Sequence, residues 1–99
     1  ASRIDPHNVE VITDMGICYR NLGMYDEAIK AFSRVLKLNP AHQGALFNLG
    51  AVYAYEKKDP EKAISTWNRL LHVAPKHSRA DEIRAAMQKI QPSGRPGTP

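Results

Sequence analysis

Ile12-Thr13-Asp14-Met15-Gly16-Ile17-Cys18-Tyr19 and Leu46-Phe47-Asn48-Leu49-Gly50-Ala51-Val52-Tyr53 are one segment written twice. Ile12, Met15, Gly16 and Tyr19 recur as Leu46, Leu49, Gly50 and Tyr53, each 34 residues further on. Working outward, Ala28, Phe32, Val35 and Pro40 recur as Ala63, Trp67, Leu70 and Pro75, each 35 further on. One additional residue therefore lies between Tyr53 and Ala63, in the stretch containing Glu56-Lys57-Lys58-Asp59-Pro60. A period this long, with helical spacing inside each unit, describes stacked supersecondary units. Arrays of this kind are mostly binding surfaces and seldom active sites.

The local signals give helices in pairs. Asn8 caps a first helix over Val9 to Asn21, and Gly23 closes it. Within it Val11, Ile12, Met15, Cys18, Tyr19 and Leu22 recur at three- and four-residue steps, which predicts a core stripe. A second helix runs from about Asp26 to Leu38, with Asp26 and Glu27 at its start, Lys37 near its end and Pro40 beyond. The pair repeats from about His42 to Lys57 and from about Pro60 to Val73. Asp59-Pro60 supplies a cap followed by Pro at the first helical residue. Gly16 and Gly50 sit mid-helix, where Gly costs about 1 kcal/mol relative to Ala. The repeated cost implies close approach of the partner helix, with Ala28 and Ala63 expected opposite.

These residues carry a family resemblance. Ile12-x2-Met15-Gly16-x2-Tyr19, then Ala28-x3-Phe32-x2-Val35-x4-Pro40, and their second copies through Pro75, resemble the tetratricopeptide repeat (TPR) family over roughly residues 6 to 91. Ile12 and Leu46 stand where the family usually has Trp. The resemblance implies an all-α fold of antiparallel helix-turn-helix repeats stacked as a short right-handed α-α superhelix. It also implies a non-enzymatic protein–protein interaction module that takes a peptide or partner helix in its concave groove. The competing expectation is a structural, self-assembling unit of a larger solenoid with no peptide ligand.

The division expected is a preceding helix end over residues 1–6, repeats over 7–40 and 41–75, a capping helix over 76–91 and a disordered tail over 92–99. Arg3-Ile4-Asp5-Pro6 aligns with Lys37-Leu38-Asn39-Pro40, as the last turn of an earlier second helix would, which suggests a piece of a longer protein. A weak homo-dimer through this N-terminal end is expected, because the first helix has no preceding neighbour. At the other end the repeat signature decays to the stripe Ala80, Ile83, Met87 and Ile90, with charge on the other faces, as a solvating cap requires. Ser78 with Asp81 suggests a capping box at its start. Pro92 to Pro99 holds no apolar side chain except proline.

The chemistry expected is recognition alone. The 99 residues carry 14 Lys+Arg against 10 Asp+Glu, but the basic residues are scattered and show no stripe with interleaved aromatics, so no nucleic acid is expected. No run is apolar enough to span a membrane, so direct insertion by this segment is not expected, and no signal-peptide pattern opens the chain. Cys18, the one cysteine, is read as core. His7, His42, His72 and His77 form no ligand set with Cys or carboxylates, and no nucleophile, base and orienting group stand together. No metal, cofactor or catalytic residue is expected.

Carried over from the resemblance, the groove face is Glu10, Thr13, Asp14, Ile17 and Asn21 from the first unit. Phe47, Asn48, Ala51 and Tyr55 come from the second, and Arg79, with Ile83 near it, from the cap helix. Phe47 and Tyr55 flanking Ala51 suggest an apolar slot; Asn48 would meet a peptide backbone and Arg79 a carboxylate. Some family members hold the C-terminus of heat-shock chaperones in a two-carboxylate clamp. Its places here hold Thr13, Ile17, Asn48, Arg79 and Ile83, and the missing Lys counter-charges argue against it.

Overall fold

The structure, a computed structural model, describes residues 8–90. The order is α1 (Val9–Asn21), α2 (Tyr25–Leu38), α3 (Gln43–Ala51) running on into a π-helical turn (Val52–Glu56), then α4 (Pro60–Val73) and α5 (Ala80–Lys89). Residues 1–7 and 91–99, with the preceding helix end and the tail expected there, lie outside the described residues. No strand occurs among the described residues.

The caps fix each helix start. Asn8 accepts from the backbone N–H groups of Glu10 and Val11, at 3.0 and 3.2 Å. Asp59 accepts from the N–H of Lys62, with Pro60 at the first helical position. His42 caps α3 by accepting from the N–H of Ala45 at Nδ1, 3.1 Å away. That donor places the ring hydrogen on Nε2, which reaches Oε2 of Glu10 at 3.0 Å. The expected Ser78–Asp81 capping box is absent. α5 starts after Arg79 with no side-chain cap, Asp81 pairs with Arg84 instead, and Nδ1 of His77 accepts from the N–H of Arg79.

Short turns make the helices of each pair neighbours: α1 packs on α2 and α3 on α4. Successive pairs stack through α2 on α3, and α5 closes on α4. One continuous core results, with Phe32, Val35, Leu46, Val52, Trp67, Leu70 and Ile83 among its buried residues. Ala28 and Ala63 are fully buried, and the atoms nearest the mid-helix glycines belong to Phe32 and Trp67. A Cβ on Gly16 would stand 2.6 Å from Cε1 of Phe32, and one on Gly50 would fall on Nε1 and Cδ1 of Trp67. Each glycine makes room for an aromatic ring, which explains why the repeat keeps both members. The indole N–H of Trp67 donates to the carbonyl of Phe47 at 3.1 Å, so this buried polar atom is satisfied.

The additional residue of the second repeat is absorbed in the π-helical turn. The N–H of Lys57 bonds to the carbonyl of Val52, five residues back, where an α-helix would reach four. The expected single helix from His42 to Lys57 is thus an α-helix with a wide last turn. Just beyond the cap of both first helices stands a residue with positive φ, Gly23 at 80° and Lys58 at 53°.

The expected α1 core stripe is divided. Ile12 is buried, but Cys18 is exposed, Met15 is 41% exposed and Leu22 72%. α1 is covered by α2 and touched by α3, and its remaining side has no neighbour among the described residues.

Candidate functional site

The site proposed from sequence is the face of α1, α3 and the start of α5. Burial separates its members. Glu10, Asp14, Asn21, Tyr55 and Arg79 are exposed, and Ile17, Phe47 and Asn48 are half-buried. Thr13, Ala51 and Ile83 are buried, so they line no open groove. Thr13 turns its hydroxyl back to the carbonyl of Val9 at 2.6 Å, on the side of α1 where α3 packs. Ala51 belongs to the core, so the apolar slot expected between Phe47 and Tyr55 has no open floor.

Phe47 is covered by the segment before α5. The His77 ring stacks on it with centroids 6.3 Å apart at 14°, and the Arg79 guanidinium lies 5.0 Å from its centroid. The arrangement sets a cation over an aromatic ring, one charge-assisted donor beside an apolar surface. Asn48 spends its amide N–H on the carbonyl of Gly44 at 2.8 Å, one turn back. Tyr55 is 49% exposed and packs edge-to-face with Trp67, centroids 6.1 Å apart at 62°. The π-helical turn carries Tyr55, so the widened backbone sets where this phenol stands.

Sequence reasoning missed two polar connections across this face. Arg20 meets Glu56 through two bonds, Nε to Oε1 at 2.7 Å and Nη2 to Oε2 at 3.2 Å, both side chains mostly covered. This fork-to-fork pair ties α1 to the end of the π-helical turn. Glu10 meets His42 near the opposite end of α1. Neither connection follows from a helical period, because each pairs residues more than thirty apart.

Behind this face, α4 and the α2–α3 turn frame a shallow cavity of about 410 Å³ between Pro40, Ala41, Asn68, Arg69, His72 and Val73. Arg69 donates to the carbonyl of Pro40 at 3.3 Å across it. No group of three or more His, Cys, Asp or Glu residues placed to hold a metal occurs among the described residues. No helix there is long and apolar enough to cross a membrane.

Comparison with known families gives two matches to the tetratricopeptide repeat, over residues 9–42 and 44–77. No curated protein matches the chain. The first match begins with α1 and ends at the cap of α3, and the second ends in the turn before α5. Repeats of this kind generally mediate protein–protein interactions and are typically not enzymes. The two matches together span more than half of the sequence, and the packing of Gly16 on Phe32 and Gly50 on Trp67 gives them a common physical basis: the chain belongs to the tetratricopeptide repeat family.

Proposed function

We propose that this chain binds a peptide or a partner helix across the face of α1, α3 and the start of α5. The observation that carries the reading is the pairing of exposed aromatic surface with a fixed cation. Tyr55 is half open to solvent, and Arg79 is held over the ring of the half-buried Phe47. Aromatic and Arg side chains are the residues that dominate binding energy at interfaces. Asn48 adds a half-buried amide, and Asn21 and Asp14 add exposed polar groups on α1. A partner segment suited to this face carries an apolar side chain for Tyr55 and a carboxylate for Arg79.

The test is a peptide library displayed against the folded chain, with capture repeated on Tyr55→Ala and Arg79→Ala. Each substitution is expected to weaken capture of the selected peptide at least about tenfold, as interface anchors do, while thermal melts move little. Capture unchanged in both variants would remove this face as the binding site. A second reading, an assembly unit without a peptide ligand, is favoured by one observation only, the uncovered side of α1.

A further inference from the structure

Each repeat ends its second helix on the same exposed trio. Arg34-x2-Lys37-Leu38 before Pro40 recurs, 35 residues on, as Arg69-x2-His72-Val73 before Pro75. All six side chains are exposed, and Leu38 and Val73 are each 42% open to solvent. A cation in the last turn of a helix answers the dipole there. The dipole gives no reason for an exposed apolar side chain beside it. In the second repeat that side chain stands in a groove. Val73 borders two shallow cavities: the one of about 410 Å³ that Pro40 and Ala41 wall, and one of about 420 Å³ walled by Pro75 and Lys76. The turns that begin at Pro40 and Pro75 thus flank an aliphatic floor.

The charge around this floor is positive. No Asp or Glu occurs between Glu27 and Glu56, or between Glu61 and Asp81. The acids of α2 and α4 stand in the first turn, about 20 Å from the other end at 1.5 Å per residue. Arg69 lies at the rim, donating to the carbonyl of Pro40 at 3.3 Å. Lys76 belongs to the lining, and Lys37 stands in the last turn of α2. None of these three cations has an ion-pair partner among the described residues. Of the acids on neighbouring elements, Glu10 is bonded to His42. Asp81 is bonded to Arg84, which itself donates to the carbonyl of Pro75. Cations scattered in sequence are brought by the fold to one end of α4, beside an apolar strip.

We infer that this groove is a second docking surface, and that its occupant is an acidic peptide segment carrying an aliphatic side chain. That side chain rests on Val73 between Pro40 and Pro75, and carboxylates of the segment meet Arg69 and Lys76. Arg69 keeps N–H donors beyond the one given to Pro40, and a guanidinium receives a carboxylate through two of them. Nucleic acid is the other polyanion of this charge. Single strands stack their bases on aromatic rings, and duplexes need many cations along the phosphates. No Phe, Tyr or Trp lines either cavity, and the strip between the cations is aliphatic, so the groove suits a peptide. Neither Tyr55 nor Arg79 lines it.

A displayed library of peptides rich in Asp and Glu, each with one Leu, Ile or Val, tests this against the whole chain. The selected peptide is then labelled and followed by fluorescence anisotropy. It is expected to lose affinity about tenfold or more in Val73→Ser and in Lys76→Glu, and to keep it in Tyr55→Ala. Added salt should weaken it as well. Both groove side chains are exposed, so the melting temperature of either variant should stay close to the parent's. Three results would overturn the inference: no acidic peptide enriched, a selected peptide indifferent to either groove substitution, or one lost on Tyr55→Ala. A labelled oligothymidylate that binds more tightly than the peptide and is lost on Lys76→Glu would overturn it in favour of a nucleic acid. The face of Tyr55 and Arg79 is read from its own variants, so the two docking surfaces fail separately.

Discussion

The two repeats share a plan and differ in what surrounds it. In the first, Gly16 admits a Phe32 ring; in the second, Gly50 admits the larger Trp67, which is also tethered by its N–H to the carbonyl of Phe47. The first helix of the second repeat is enclosed on both sides, and that of the first repeat on one. The first repeat turns through Leu22-Gly23-Met24, the second through Lys57-Lys58-Asp59 after a π-helical turn. A repeat motif thus specifies how a pair packs within itself, while substitutions at its edges decide what it packs against.

The largest expected contrast lies at the glycines. A Cβ at Gly50 would collide with an indole that has a hydrogen bond to keep, whereas one at Gly16 would press on a ring with no polar tether. Overpacking costs about 1–3 kcal/mol, against which Ala regains about 1 kcal/mol of helix propensity. Gly50→Ala is expected to lose about 2 kcal/mol in chemical denaturation, and Gly16→Ala about 1 kcal/mol. Trp67→Phe added to Gly50→Ala should recover part of the loss. Equal midpoints for Gly50→Ala and the parent chain would mean that the ring is not what the glycine accommodates.

A smaller contrast sits at the turns. Gly23 and Lys58 both hold positive φ, a region where Gly is unstrained and Lys is not. Lys58→Gly is expected to stabilise the chain by about 0.5–1 kcal/mol, and Gly23→Ala to destabilise it by about 1 kcal/mol. Opposite signs in the melting shifts sharpen the comparison. The same sign in both would mean that the two turns are not equivalent in energy, whatever their angles.

How much of this was legible depended on the range of the interaction. Helix bounds came through almost to the residue, because Asn8, Gly23, Asp59 and Pro60 are local signals that act within one turn. The additional residue was located to a stretch, but its form was not, since a π-helical turn and a longer loop accommodate it equally well in sequence. Periodicity assigned Met15, Cys18 and Leu22 to the core because a period marks which residues share a side and not whether anything covers it. For the same reason Thr13 and Ala51 were read as groove residues. The resemblance implied that they face a groove, and the neighbouring helices cover them. That the nearest atoms to Gly16 and Gly50 are the Phe32 and Trp67 rings was not legible, because small opposite small is as good a packing rule as gap opposite ring. Arg20 with Glu56, Glu10 with His42 and His77 with Phe47 are tertiary meetings that no spacing announces.

The smallest expected effect tests the latch that distinguishes the second repeat. Lys57 donates to Oδ1 of Asp26, and this hydrogen bond, with the charge of Lys57, holds the Asp26 carboxyl below the ordinary value of 3.8. A carboxyl lowered on folding contributes stability above its unfolded pKa, and that contribution is lost as pH falls through the lower folded value. Asp26 is fully open to solvent, so salt screens the pair and the thermodynamic effect is slight. Titration is the better readout. In Lys57→Gln the Asp26 carboxyl, followed by side-chain carbon chemical shifts, should titrate higher than in the parent chain. The parent's value should itself rise toward the ordinary one in high salt. An Asp26 titration indifferent to both changes would mean that no charge latch joins the repeats at this point.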